Sequence, residues 1–369
     1  MFSKSDKTRD SFMLHGRLAR RGYDWWWHSF TGVNSETGVE KSFFIEFFIC
    51  NPELGGDRPV FGQTKEKNKP SYLMIKVGTW GEDAKQIHRF FGINNINIRA
   101  YPFQVRADDC YLDDYKTYGS VKCINSNKHP EYMCVDGEFS WNLKINKIIP
   151  FNVGYGASSF FRRLNLFEMF WHAEGMKSTY DGEVILDGVH YDVKKDTSYG
   201  YADKNWGRDF TSPWVWLSSN NLVSKKTGKK LTNSVFDIGG GCPKVGFVAL
   251  KRKLLSAIYY EEKCYEFNFS KFWTFTRTKF NCQDTDDKII WDVEQKNITN
   301  KFVCHIECLK KDMLLVNYES PLGIKKHNHL WNGGTGTGYL KLYHRDKLID
   351  EIEILNAGCE YGEFDKEEK

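Results

Sequence analysis

The stretch SYGYADKNWGRDFTSPWVWLSSN, residues 198–220, lies at the middle of the 369-residue chain and decides its fold. Gly207 and Pro213 interrupt it, so it cannot form one long helix or one uninterrupted strand. An extended run therefore ends near Gly207, and a second begins at Pro213. Because side chains alternate along a strand, Trp214 and Trp216 share one face of the second run. Aromatic residues favour strands, so this stretch predicts β structure.

The rest of the chain predicts an all-β fold of two barrel or sandwich modules with one or two short helices. About 18 short strands are expected, which is more than one small barrel holds. The dipeptides Asp181-Gly182 and Asp187-Gly188 are typical of hairpin turns. The clearest helix is predicted at 157–172, where apolar residues recur every three to four positions. We predict a loosely docked arm at 1–20 and β domains at 21–195 and 196–369.

Composition narrows the function. The formal charge is only +4, and no dense stripe of lysine and arginine is present, so nucleic-acid binding is not predicted. The first residues are polar and lack the apolar core of a secretory signal, and the longest apolar run, residues 43–50, is too short to span a membrane. Ten cysteines in a chain without a signal peptide are expected to be reduced thiols, which predicts a cytoplasmic location.

Asp203 is the first candidate for chemistry, because it stands among aromatic residues in the central stretch. If its strand faces an apolar pocket, desolvation raises its pKa and allows it to act as a general acid. Lys204 and Arg208 are neighbours, and an ion pair with either would keep the carboxylate charged. A structural carboxylate that ties a turn is therefore an equal alternative.

A second candidate lies in the stretch YDWWWHSF, residues 23–30. Alternation places Tyr23, Trp25 and Trp27 on one face of a strand, and Asp24, Trp26 and His28 on the other. Asp24 and His28 could form an acid–base site, or they could lie at a strand edge without a role in chemistry. The sequence leaves both alternatives open.

Glu46 is a third candidate, because it interrupts an otherwise apolar strand whose two faces both look covered. It either pairs with an internal lysine or arginine or serves as a buried acid. Two other motifs do not predict a functional site. The glycines at 333–338 precede a strand instead of a helix, so they predict a bulge or a close backbone crossing and not a phosphate site. His327 and His329 have no Cys, Asp or Glu at a spacing typical of metal ligands, so no metal is predicted.

The central stretch resembles the tocopherol cyclase family, which is distantly similar to the carotenoid 1,2-hydratases. The resemblance is carried by Ser198-Tyr199-Gly200, Lys204-Asn205-Trp206-Gly207, Phe210 and the Trp214-x-Trp216 pair with Asn220. Weaker likeness runs from about Tyr23 to Gly362. It implies two lipocalin-like (calycin-type) modules around an apolar pocket. It also implies protonation of a prenyl-chain alkene without a cofactor, followed by cyclisation or hydration.

Asp203 falls at a position where plant cyclases resemble one another in having Glu. The hydratases look more like having Asp at this position. The resemblance therefore implies that Asp203 donates the proton, oriented by Tyr201 and Asn205, with Asp24, His28 or Glu46 as the second acid–base group. Ligand contacts are expected from a larger set: Trp206, Trp214, Trp216, Trp25, Trp27, His28 and His172.

We therefore expect a tocopherol cyclase-like enzyme whose partner is a hydrophobic small molecule, with peripheral membrane association as a route to substrate. A carrier or sensor that binds an isoprenoid, quinone or lipid unchanged is the main alternative, because a fold does not dictate a reaction. A carbohydrate-binding module is a weaker one, and it requires exposed rings at Trp25–Trp27.

Overall fold

The computed structural model describes residues 4–62, 68–128, 130–151, 168–242, 244–245, 248–249, 253–269, 271–323 and 326–363, with the backbone alone described at 4–5, 244–245, 248–249, 272 and 326–329. These residues form a nearly all-β protein, as expected. One α-helix is described, α1 (Lys4–Arg9), and it is not long or apolar enough to cross a membrane.

The first twelve strands form one antiparallel sheet. They are β1 (Tyr23–Asn34), β2 (Glu40–Cys50), β3 (Tyr72–Thr79), β4 (Lys85–Phe91), β5 (Ile96–Arg99), β6 (Gln104–Ala107), β7 (Cys110–Asp113), β8 (Lys116–Cys123), β9 (Gly137–Phe151), β10 (Met169–Leu186), β11 (Val189–Val193) and β12 (Gly200–Gly207). Their order is β4-β3-β2-β1-β11-β10-β9-β8-β7-β6-β5, and β12 pairs with both β1 and β10.

The remaining strands form a second antiparallel sheet of ten strands and a separate two-stranded ribbon. They are β13 (Trp214–Ser224), β14 (Val235–Gly241), β15 (Lys244–Val245), β16 (Val248–Ala249), β17 (Lys253–Tyr260), β18 (Lys263–Asn268), β19 (Arg277–Asp284), β20 (Lys288–Lys296), β21 (Asn300–Leu309), β22 (Leu314–Glu319), β23 (Lys326–His344) and β24 (Lys347–Glu363). The ten-stranded order is β18-β17-β14-β13-β24-β23-β21-β20-β19, with β22 on β23 and with β15 and β16 forming the ribbon.

Each sheet curves around a core of its own, and a third core lies between the two sheets. The core of the first sheet includes Trp26 and Phe43 from its inner face. The core of the second sheet includes Trp291. Side chains of both sheets, Trp25 and Trp214 among them, form the core between them. Strands β1, β2, β12, β13 and β14 are therefore buried almost throughout, because both of their faces are covered.

The central stretch folds as expected into β12 and β13, which are separated at 208–213. The chain thus passes from the first sheet to the second between Gly207 and Trp214, about one strand beyond the domain boundary placed at 195. The described part of the predicted arm, residues 4–20, packs against the first sheet and is not loosely docked: Leu14 and Ala19 are buried, and the Asp10 carbonyl accepts a hydrogen bond from the Trp26 indole.

Other local predictions differ in outcome. Asp187-Gly188 forms the turn between β10 and β11, but Asp181-Gly182 lies inside β10 and is not a turn. A Cβ on Gly182 would meet the Asn142 carbonyl oxygen at 2.0 Å, so glycine is required there for a close backbone approach. The glycines at 333–338 do lie in register shifts of the β23–β24 pair. The helix predicted at 157–172 is wrong for 168–172, since 168 is not helical and 169–172 begin β10, and positions 157–167 lie outside the described residues.

Candidate active site

A group of buried polar side chains lies between the two sheets, where the odd-numbered positions of β12 meet β13 and β14. The Asp203 side chain is on this face and is only 7% exposed, so it does not point into water. Its Oδ2 accepts hydrogen bonds from the Trp171 indole (2.8 Å) and from the Tyr201 hydroxyl (3.3 Å). Its Oδ1 has no hydrogen-bond partner among the described residues.

A second carboxyl group, that of Asp237 on β14, completes this cluster, and the sequence analysis missed it. The Tyr201 hydroxyl lies 3.3 Å from Asp237 Oδ2 as well as from Asp203 Oδ2, so it bridges the two side chains. The Trp216 indole donates to Asp237 Oδ1 and to the Tyr201 oxygen, both at 3.1 Å. A signal did exist: Asp237 interrupts the apolar run of β14, as Glu46 interrupts β2.

This environment favours the protonated acid. Desolvation raises the pKa of Asp203 well above its ordinary value, and the nearby carboxyl groups of Asp237 and Glu360 raise it further. Desolvation likewise raises the pKa of Asp237 well above its ordinary value, against the indole and hydroxyl donors that lower it. Two carboxyl groups this close cannot both ionise cheaply, so the pair retains a proton.

Aromatic rings surround the cluster as the sequence predicts. Trp25 and Trp27 face the core between the sheets together with Trp214 and Trp216. Trp25 lies over the Tyr318 ring with centroids 5.1 Å apart. All three consecutive tryptophans are buried, Trp26 completely, so the exposed rings that a carbohydrate-binding module needs are not present at Trp25–Trp27.

Glu46 lies in the same core but has a partner. Its Oε2 is 2.7 Å from Lys76 Nζ and accepts a hydrogen bond from the Tyr318 hydroxyl at 3.0 Å. Both charged side chains are fully buried, and Lys76 Nζ also lies 3.9 Å from the Tyr318 ring centroid. Of the two alternatives that the sequence leaves open for Glu46, the geometry matches the paired one.

Glu360 on β24 is a further carboxyl group of this interface that the sequence analysis missed. Its Oε2 accepts a hydrogen bond from the Trp214 indole at 2.6 Å, and its Oε1 accepts one from the Asn332 amide. Desolvation raises the pKa of Glu360 to about 7, against these two donors, which lower it. It lies in a long alternating strand of mixed polarity, where one acidic residue among several carried no distinguishing signal.

Asp24 and His28 are not brought to this site, because they lie on the opposite face of the first sheet. Asp24 forms a fully buried ion pair with Lys204 and accepts a hydrogen bond from the Met13 amide. His28 Nδ1 lies 2.8 Å from the Tyr180 hydroxyl, and burial lowers the pKa of this imidazole to about 3. Both side chains therefore face the interior of the first module.

Other predicted contacts are also placed elsewhere. Trp206 is on the same face as Lys204 and stacks on Phe170, so it does not wall the site around Asp203. His172 Nε2 lies 3.2 Å from Asp10 Oδ1, against the N-terminal arm. Asn205 is on the correct face, but its Oδ1 accepts from the Tyr23 hydroxyl at 2.7 Å, so this amide holds Tyr23.

Two small cavities at the interface are lined by described residues. One of about 40 Å³ is lined by Tyr201, Trp216 and several hydroxyl and amide side chains. One of about 10 Å³ is lined by Glu360 and by apolar and aromatic side chains, including Trp25, Trp214 and Tyr318. The volumes of these two cavities suit water and not a prenyl chain.

The comparison of the sequence with protein families identifies the class. The family described as tocopherol cyclase-like matches residues 118–306, which is more than half of the chain. The chain therefore belongs to the tocopherol cyclase-like family. The matched stretch contains Tyr201, Asp203 and Asp237, whereas Glu46 and Glu360 lie outside it.

Solved structures give weaker likenesses. Kievitone hydratase from Nectria haematococca is 9% identical, with 99% of this chain and 94% of that chain covered and a TM-score of 0.49. A putative AttH from Nitrosomonas europaea is 12% identical over 93% of this chain and 92% of that chain, with a TM-score of 0.46. CghA with Sch210972 is 9% identical over 94% and 90%, with a TM-score of 0.46. No curated protein matches the chain significantly.

Proposed function

We propose that the protein is an enzyme that adds an oxygen nucleophile across an alkene of a hydrophobic, prenyl-type substrate, by hydration or by cyclisation. The observation that carries the proposal is Asp203, a buried acid held by Trp171 and Tyr201 beside a second carboxyl group. Membership of the tocopherol cyclase-like family supports the same class of reaction.

The chemistry needs a proton donor that stays protonated at neutral pH, because an alkene is a weak base. A raised pKa gives Asp203 that property, since no cation stabilises its ionised form within hydrogen-bond distance among the described residues. Transfer of the proton to one alkene carbon leaves a carbocation on the other. The oxygen of water or of a phenol hydroxyl then captures it.

The surrounding rings suit that intermediate. The face of an indole or phenol ring attracts a cation by ~0.5–2 kcal/mol, and more when water is excluded. Trp25, Trp214 and Trp216 are less than one tenth exposed and supply such faces. Exclusion of bulk water also limits unwanted capture of the cation.

The proposal includes no cofactor, and it places the protein in the cytoplasm with peripheral access to substrate dissolved in membranes. All ten cysteines are free thiols in the structure, which supports a reducing compartment. A hydrophobic substrate partitions into membranes, which is the reason for expecting peripheral association.

The test is the substitution Asp203→Asn, assayed by mass analysis of prenylated hydroquinones and apolar polyenes incubated with the protein. We expect turnover to fall by about 10²–10⁴-fold, the usual contribution of a positioned general acid, while binding and folding persist. Asp350→Asn is the matched control, because Asp350 is also buried but is bonded to Tyr260 within the second module. Unchanged turnover in Asp203→Asn would contradict the proposal.

A carrier that binds its ligand unchanged is a second candidate, favoured by a separate cavity of about 480 Å³ at the first module. Phe103, Ile145 and Tyr115 are among its apolar lining residues, and Asp10 and Lys147 among its polar ones. That volume lies in the range of small-molecule sites. If Ile145→Trp abolishes ligand binding, Asp203→Asn does not, and the ligand is recovered unaltered, the carrier function is supported instead.

A further inference from the structure

We infer that Glu360 is the catalytic base of the proposed addition and takes the proton from the oxygen nucleophile as it captures the carbocation. This inference rests on the proposed function. It assigns the second acid–base group to a residue outside both the family match and the sequence-predicted site. Three observations support it: the position of Glu360, the hydrogen bonds to its two carboxyl oxygens, and the ion pairs that the other candidate bases already form.

The position of Glu360 is at the aromatic side of the interface. Its side chain lines the small cavity with Trp25, Phe210, Trp214 and Tyr318, and the residue is partly buried there. Neither Asp203 nor Asp237 lines this cavity. A carbocation drawn towards these ring faces would thus have the Glu360 carboxylate beside it, and a nucleophile approaching that cation would pass within its reach.

The hydrogen bonds of Glu360 favour a base. Each carboxyl oxygen accepts from a neutral N–H donor, Trp214 on Oε2 and Asn332 on Oε1, and such donors stabilise the ionised form. Asn332 Oδ1 is itself held by the Trp80 indole at 2.7 Å, which fixes the amide orientation. Asp203 differs, because one of its oxygens has no partner among the described residues and its carboxyl neighbours oppose ionisation.

Two carboxyl groups whose surroundings differ can serve as the acid and the base of one site. The surroundings of Asp203 keep its proton, whereas the donors on both oxygens of Glu360 offset part of the desolvation that raises its pKa. The pKa of about 7 for Glu360 supports this role, since a general base acts best when its pKa is near the working pH.

The rival bases are already occupied or face elsewhere. Glu46 is paired with Lys76 and Tyr318. Asp24 is paired with Lys204 on the opposite face of the first sheet. Glu360 has no ion pair among the described contacts of this interface, and the attraction of Lys76 only moderates its raised pKa.

The step balances without an external oxidant or reductant. The Asp203 O–H bond breaks and a C–H bond forms at one alkene carbon, which leaves the cation on the other. A C–O bond then forms between that carbon and the nucleophile, and the nucleophile's O–H proton moves to the Glu360 carboxylate. Net H–OR addition results, and exchange with water between turnovers returns the proton from Glu360 to Asp203.

The test separates the two steps with a prenylhydroquinone probe in D₂O. Protonation alone is reversible, because the Asp203 carboxylate can take back a proton from a neighbouring carbon, and it therefore washes deuterium into the recovered alkene. We expect Glu360→Gln to keep this exchange within about threefold, and to lose formation of the cyclic ether by about 10²-fold or more. Asp203→Asn should lose both.

The matched control is Glu319→Gln, because Glu319 is a buried glutamate, held by the hydroxyls of Tyr72 and Tyr132, with its pKa raised by desolvation to about 7. It should change neither reaction. Glu360→Asp, which retains the charge, covers the case in which Glu360→Gln fails to fold, and should retain part of the ether formation.

Normal ether formation in Glu360→Gln, or equal loss of exchange and ether formation in a folded Glu360 variant, would overturn the base assignment while leaving the proposed function in place. A wild-type protein that catalyses neither exchange nor ether formation would overturn the proposed function, and the assignment of Glu360 with it.

Discussion

Asp203 and Lys204 are adjacent in β12, yet they lie in two different environments. The Lys204 side chain faces the interior of the first module, where it pairs with Asp24 and lies 3.9 Å from the Trp26 ring. The Asp203 side chain faces the other sheet, where it meets indole and hydroxyl donors and a second carboxyl group. On one face of β12, Lys204 thus forms an ion pair with the Asp24 carboxylate. On the other face, the Asp203 carboxyl group lies among donors that carry no charge.

The pKa of a buried carboxyl group depends on whether a cation is buried beside it. Desolvation raises the pKa of both Asp24 and Asp203, but Lys204 limits the rise for Asp24 to about 6. At neutral pH the first module therefore holds an ion pair that is structural. The interface favours a protonated acid, because neighbouring carboxyl groups add to the desolvation instead of opposing it.

The largest expected effect is on stability, from Lys204→Met. This change leaves Asp24 buried without its cation, which costs about 3–5 kcal/mol of unfolding free energy. Urea unfolding monitored by fluorescence measures it. The double variant Lys204→Met with Asp24→Asn should recover much of the loss. Asp203→Asn, one residue away, should not lower the unfolding free energy by more than about 1 kcal/mol; an equal loss in both single variants would break the comparison.

The next effect is on the pH dependence of stability, from Asp24→Asn. The folded pKa of Asp24, about 6, is above its ordinary value of 3.8, so its contribution is fully present below pH 3.8 and is lost as pH rises through 6. Because one pKa unit corresponds to about 1.4 kcal/mol, wild type should lose on the order of 3 kcal/mol relative to the variant between pH 4 and pH 8. Parallel stability curves for the two proteins would show that Asp24 does not titrate this way.

The smallest expected effect is on the pH dependence of turnover, and it comes from Asp237→Asn at the interface between the sheets. Asp237 raises the pKa of Asp203, so its neutral replacement lowers that pKa, and protonated Asp203 becomes scarcer at neutral pH. The alkaline limb of the pH–rate profile should move to lower pH, with turnover on that limb reduced by about tenfold for each unit by which the pKa falls. The same assay on Asp350→Asn serves as the control, and an unmoved limb would contradict the coupling of the two carboxyl groups.

Much of the fold follows from alternation in the sequence. Every second residue of 302–308 is a hydrophobic residue or a cysteine, and Phe302, Cys304, Ile306 and Cys308 are buried along one face of β21. The division of residues 23–28 between two faces is also confirmed. The predicted turn at Asp181-Gly182 is wrong because the glycine serves a close approach of two strands, a tertiary requirement that a dipeptide pattern does not reveal.

The site was predictable in part, for the same reason. Burial of Asp203 and its contact with Tyr201 follow from their positions in one aromatic strand. The same rule of alternation also separates Trp206 from Asp203, although the expectation grouped them. Asp237 and Glu360 come from strands that are distant in the sequence, and they reach Asp203 only through the docking of the second sheet on the first. Local patterns carry no record of that packing.

The passage of the chain from β12 directly into β13 has a consequence for synthesis on the ribosome. A nascent chain that has emerged only through residue 207 carries Asp203 but neither Asp237 nor Glu360, and nothing from the second sheet covers its carboxyl group. A chain that ends there leaves the Asp203 carboxyl group exposed to solvent. The burial and the carboxyl neighbours that raise the pKa of Asp203 are complete only when the last strand, β24, is in place, so a shorter polypeptide lacks the surroundings on which the proposed proton transfer depends.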